Sequence, residues 1–109
     1  MLKHTIDVVT AGHICIDIIP ELISASGSIP NLYVPGELIQ TAPITFSLGG
    51  SVANTGAALC RLGANVRAMG KIGDDALGQL VLDLLRTHGD LFLEYMAISP
   101  GEATSYSIV

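Results

Sequence analysis

The chain has 109 residues, 50% of them hydrophobic and only 14% charged, with a formal net charge of −5. Such apolarity argues against disorder. The acidic balance, with five basic residues (Lys3, Arg61, Arg67, Lys71 and Arg86) scattered along the chain, argues against a nucleic-acid partner, because phosphate binding needs clustered Lys and Arg.

No apolar run approaches the ~18 residues of a membrane span, and charge appears from Lys3 to Asp7 where a signal peptide would stay apolar. The expectation is a cytoplasmic protein with no membrane partner. Asp7 to Ile19 is β-branched and nearly continuous in apolar character, which predicts one strand buried on both faces of a parallel sheet and ended by Pro20. Ser24 to Pro35, rich in Ser, Gly, Pro and Asn, predicts a loop. Gly36 to Thr41 and Ile44 to Leu48 read as short strands of an outlying sheet. Ser51 to Leu62 predicts a helix with Val52, Gly56, Leu59 and Gly63 on one stripe, and Ala53, Ala57 and Cys60 beside it allow close packing. Val66 to Ile72 is the next predicted strand. Asp75 then reads as an N-cap, and Leu77, Leu80, Val81, Leu84 and Leu85 recur at helical spacing until Gly89. Leu91 to Ile98 predicts a strand, Ser99-Pro100-Gly101 a turn, and Thr104 to Val109 an extended segment. This alternation predicts an α/β domain with a parallel sheet.

Cys15 and Cys60 lie in apolar segments without a CxxC motif, so both are expected to be buried thiols. His4, His13 and His88 have no partner at ligand spacing, and no metal site is expected. Gly50 to Gly56 is followed by Ala57 rather than Lys, which excludes a Walker-type phosphate loop. No GxGxxG follows the first strand, so a dinucleotide site would rest on the alternation alone. The informative block is Gly49-Gly50-Ser51-Val52-Ala53-Asn54. Two glycines between a strand and a small-residue helix let backbone N–H groups approach a ligand, and Asn54 adds an amide one turn later. Donors at a helix N-terminus suit a polyhydroxylated or anionic small molecule. Asp74 and Asp75 read as a solvated N-cap pair rather than acid–base catalysts, and Lys71 as solvated rather than a phosphate ligand.

That block, with Gly63 nine residues after Asn54 and Gly73 ten further on, resembles the first signature of the ribokinase-like (PfkB) family of carbohydrate and nucleoside kinases. Gly70-Lys71-Ile72-Gly73-Asp74-Asp75 with Gly78 is similar to the family's next stretch. Val52 stands where Gly, Ala or Pro is usual, and Gly56 where Ser, Thr or Ala is usual. The resemblance runs from Asp7 to Val109. It implies a ribokinase-like α/β fold, a parallel sheet flanked by helices with a small β-strand lid, here truncated. Residues 1–109 would be the N-terminal part of a single such domain, with lid strands near 36–48 and 104–109.

The resemblance further implies substrate contacts at Asp17, Gly49, Gly50 and Asn54. Asp17, expected at the carboxyl end of a buried strand where open α/β sheets bind ligands, would accept two sugar hydroxyls. The implied activity is transfer of the ATP γ-phosphoryl group to a sugar or nucleoside hydroxyl, with ATP and Mg²⁺. A Gly-Ala-Gly-Asp-like run, which supplies the family's anion hole and catalytic base, has no counterpart in these residues. No catalytic, cofactor-binding or metal residue is therefore expected in this segment, which alone should be inactive. Open lid edges invite a homodimer through the lid strands. The alternative reading, motivated by the apolar composition, is a non-catalytic small-molecule-binding or assembly module built on part of the same fold.

Overall fold

The computed structural model describes residues 5–23 and 34–109, so most of the expected loop at Ser24 to Pro35 lies outside the described residues. Asp7 to Ile19 does not form one strand. It divides into β1 (Val8–Ala11) and β2 (Cys15–Ile19), which belong to different sheets. The break falls at Gly12, whose φ of +138° is open to glycine at little cost. Apolar continuity alone carries no sign of a change of sheet, nor that β1 leaves Val9 and Ala11 exposed.

β3 (Thr45–Gly49) runs antiparallel to β2, and it is the only part of residues 36–48 in a strand. Between Gly36 and Thr41 only Thr41 pairs, in an isolated bridge with Leu22; the exposed residues before it have no face to bury. Helix α1 (Ser51–Arg61) follows directly. The stretch from Val66 to Ile72 breaks at Gly70 into β4 (Val66–Met69), parallel to β1, and β5 (Lys71–Gly73). Helix α2 (Ala76–Arg86) comes next, capped by Asp75 as expected. Leu91 to Ile98 is mostly not a strand: Asp90–Leu93 is a 3-10 turn, and only β6 (Ala97–Ser99) pairs, parallel to β5. The turn wins because it carries Phe92 into the core. β7 (Tyr106–Ile108) lies parallel to β2. No helix among the described residues is long and apolar enough to cross a membrane.

The core joins Ile14 and Ile16 with Val52 and Ala53 of α1, Val66 and Ala68 of β4, Ile72, Val81 and Leu85, and Phe92. α1 packs on β1 and β4, and α2 on β2, β3 and β5. Cys15 is buried as expected, whereas Cys60 is only half-buried. Arg67 is 3% exposed, its charge answered by Glu94 at 2.9 Å and by Asn65 Oδ1 at 2.7 Å. Gly56 departs from the family pattern for a local reason. A Cβ there would stand 2.7 Å from Phe92 Cζ and 2.9 Å from Thr10 Oγ1.

Asp75 does more than cap α2. Its Oδ1 accepts from Gly78 N at 2.8 Å and from Thr104 Oγ1 at 2.6 Å, and its Oδ2 accepts from Thr104 N at 2.8 Å. Thr104 Oγ1 in turn accepts from Gly73 N at 2.9 Å. The start of α2, the end of β5 and the lead into β7 are thereby tied at one carboxylate. The Thr104 hydroxyl, then the Thr104 and Gly78 backbone donors, hold that carboxyl below the usual carboxylate range. On the neighbouring surface Lys71 is not free but pairs with Glu102 at 2.6 Å.

Two outcomes follow from this packing. Gly56→Ala gains ~1 kcal/mol of helix propensity but overpacks a closed site by about 1–3 kcal/mol, so thermal denaturation should show a lower Tm. A raised Tm would mean that the Phe92 ring has room to yield. For Asp75 the folded pKa lies below the unfolded one, so its contribution is complete above about pH 4 and is lost as pH falls through the folded value. Urea denaturation should find Asp75→Asn less stable than the parent at pH 7, with the gap narrowing as pH falls below about 4. An equal gap at every pH would remove the carboxylate from the account.

Candidate functional site

β1 hands the chain to β2 at the carboxyl end of the parallel β1–β4 pair, which is where open α/β sheets present ligand sites. Gly12 N donates to Met69 O at 3.1 Å across that end. The following residues pass directly over the Gly49-Gly50 step. An added Cβ at Gly50 would stand 2.5 Å from His13 O, and Gly50 sits at φ +90° as the N-cap of α1. A Cβ at Gly49 would stand 2.6 and 2.7 Å from the two Asp17 carboxylate oxygens and 2.7 Å from Cys15 Sγ. Both glycines are thus required by the approach of the chain itself, where the sequence suggests the approach of a ligand.

Asp17 is not at a strand end. It lies in the middle of β2, opposite Ser47 of β3 on one side and Ser107 of β7 on the other. A single Asp7–Ile19 strand of the main sheet would have put it near the carboxyl end; the division at Gly12 moves it into the second sheet. Cross-strand partners share a face, so Cys15, Asp17, Ser47, Gly49 and Ser107 line one side of this sheet. Ile16, Ile18, Leu48, Phe46, Tyr106 and Ile108 line the other. On the first side Ser107 Oγ donates to Asp17 Oδ1, and the Cys15 thiol donates to the same oxygen at 3.7 Å. Burial, reinforced by the Asp17 charge, pushes the Cys15 thiol above its ordinary pKa, so it remains a protonated donor at neutral pH.

α1 opens beside this carboxylate. With glycine at the N-cap no side chain caps the helix; Val52 N donates to His13 O at 3.2 Å and Asn54 N to Gly50 O at 3.1 Å. Asn54 itself is exposed, one turn into the helix. Asp17, Gly49 and Gly50 are therefore brought close together, with Asn54 on the adjoining helix turn. Cys15 and Ser107, the partners of Asp17, are absent from the sequence-based candidates. Ser107 is ninety residues away from it, and no local pattern pairs them.

Asp74 is exposed, and Asp75 is engaged by Gly78 and Thr104. A cavity of about 450 Å³ opens at the other end of β4, between Asn65, Arg67, His88, Asp90 and Phe92. It includes none of the four candidate site residues, and the Arg67 guanidinium in its wall is already paired with Glu94.

Residues 5–108 match the family model described as pfkB family carbohydrate kinase. The chain is 29% identical over 82 residues to fructokinase-2 of Oryza sativa subsp. japonica, a stretch covering 75% of this chain and 21% of that protein. It is 30% identical over 101 residues to a 5-dehydro-2-deoxygluconokinase of Clostridium perfringens, covering 93% of this chain and 27% of that protein. A solved structure of Arabidopsis thaliana ribokinase complexed with ribose and ATP aligns at a TM-score of 0.73 and 26% identity, over 94% of this chain and 31% of that one. The chain spans about a quarter of the length of these curated relatives. With its ribokinase-like α/β fold and a family match along nearly its whole length, it belongs to the pfkB family of carbohydrate kinases.

Proposed function

We propose that these residues are the acceptor-binding part of a longer ATP-dependent sugar kinase. The observation that carries this reading is the Asp17 carboxylate lying against Gly49 at the open start of α1. Asp17 would accept a substrate hydroxyl, the Gly49-Gly50 backbone would border the sugar, and Asn54 would bond a further group from the helix side. The β3–β2–β7 sheet would serve as the lid, its polar face toward the sugar. Fructokinase and ribokinase among the similar proteins make a ketose or pentose the first substrate to try.

Nucleotide and Mg²⁺ belong, in this reading, to the rest of the longer protein. Among the described residues no cluster of three or more His, Cys, Asp or Glu side chains could hold a metal ion. Two observations favour part of a larger enzyme over a free-standing binding module. The radius of gyration is 17.2 Å, against about 13 Å for a compact domain of this length. The other face of the β3–β2–β7 sheet leaves Phe46, Tyr106 and Ile108 at 40%, 57% and 67% exposure, a patch that further chain or a second copy would cover.

The test is steady-state kinetics of the full-length protein with D-fructose, D-ribose and 5-dehydro-2-deoxygluconate. Asp17→Ala removes a charge-assisted bond of ~1.5–3 kcal/mol, so KM for the preferred sugar should rise about tenfold or more, with a smaller change in kcat. Asn54→Ala should act in the same direction by a smaller factor, since its bonds are neutral. The 109-residue chain alone should transfer no phosphate, because it orders the acceptor without an anion hole or base. Sugar-dependent ADP release by the purified 109-residue chain, or an unchanged KM in Asp17→Ala, would defeat the proposal.

A further inference from the structure

The two oxygens of Asp17 are not equivalent. Oδ1 carries both protein donors, the Ser107 hydroxyl across the β2–β7 register and the Cys15 thiol two residues back on the same face. Among the described residues no side chain or backbone N–H donates to Oδ2. A carboxylate with one oxygen held from two sides loses its rotation about the terminal bond, and only the unbonded oxygen keeps its full capacity for a ligand.

The Ser107 hydroxyl is itself well placed. It sits three residues after Thr104, which Asp75 grips through both its backbone N–H and its hydroxyl, and β7 is then registered on β2 from Ile16↔Tyr106 to Ile18↔Ile108. The position of Ser107 is therefore set from both sides, by a carboxylate clip upstream and by strand pairing at Asp17 itself. Gly49 lets the carboxylate sit where it does, since a Cβ there would stand 2.6 Å from Oδ1 and 2.7 Å from Oδ2.

We infer that Ser107 is a positioning residue for the acceptor: with Cys15 it locks Asp17 Oδ1, so that Asp17 meets the sugar through Oδ2. This rests on the proposed function, in which Asp17 touches the sugar. Ser107 acts on the sugar through the Asp17 oxygen to which its hydroxyl donates.

The experiment is a double-mutant cycle in the full-length kinase, read with whichever of D-fructose, D-ribose and 5-dehydro-2-deoxygluconate the parent phosphorylates best. Ser107→Ala should raise KM about threefold to tenfold with kcat within about twofold, because a freed carboxylate binds its hydroxyl less often but leaves the chemical step alone. Ser107→Thr keeps the hydroxyl in a residue at home in strands and should restore KM to within about twofold of the parent. Ser107→Ala added to Asp17→Ala should change nothing further, because a residue that acts through Asp17 has nothing left to position. A KM increase in Asp17→Ala, with Ser107→Ala silent or fully additive to it, overturns this inference and leaves the sugar site standing. Asp17→Ala without effect, or no turnover of any of the three sugars, overturns the site reading and this inference with it.

Discussion

Most of what this chain can do depends on how closely residues 13–17 pass over Gly49 and Gly50. The His13 carbonyl occupies the volume of a Cβ at Gly50, and the Asp17 carboxylate with the Cys15 thiol occupies that of a Cβ at Gly49. These contacts fix three relations at once. They hold β2 against β3 in register, they set where α1 begins, and they bring a carboxylate to the mouth of a helix whose first turn has no side-chain cap. Any larger residue at either glycine would have to push β2 away, and the β3–β2–β7 sheet would separate from the helix beside it.

Two carboxylates in the chain differ in what their oxygens do. Asp75 has both oxygens bonded, to Gly78 and to two donors of Thr104, so its capacity is consumed by the fold. Asp17 has one oxygen bonded to its own chain and the other unengaged among the described residues. Hydrogen-bond capacity, rather than charge or sequence neighbourhood, separates a structural clip from a group able to receive a ligand. The adjacent Asp74-Asp75 pair looks more like a catalytic constellation in the sequence, yet Asp75 is consumed by the fold and Asp74 stands exposed beside it.

The legible parts of the sequence are those with local causes. The helices come from periodicity and from Asp75 as a cap, the turns from glycines, and the α/β alternation from the order of elements. The Gly49-Gly50…Asn54 block is found because its spacing is local too. What stays hidden depends on partners far along the chain. A continuous apolar run does not disclose that β1 and β2 join different sheets, and for that reason the sequence alone sets Asp17 at a strand end. Leu91 to Ile98 has the composition of a strand, but Phe92 gains more by entering the core against Gly56 than by pairing. Arg67 gives no warning of its burial, because its partner Glu94 lies outside its own strand.

The β3–β2–β7 sheet shows the same division between local pattern and distant requirement. Alternation in β2 assigns Ile16 and Ile18 to one face and Cys15 and Asp17 to the other, and the partners in β3 and β7 extend both faces faithfully. The apolar face is anchored to the core at the Ile16–Leu48 end and runs out past it at Phe46, Tyr106 and Ile108. Sliding β7 along β2 would break their register and the Asp17–Ser107 bond together. Asp17, Ser107 and Ser47 therefore keep their relations as one polar face, set by the same pairing that carries the apolar face beyond the core.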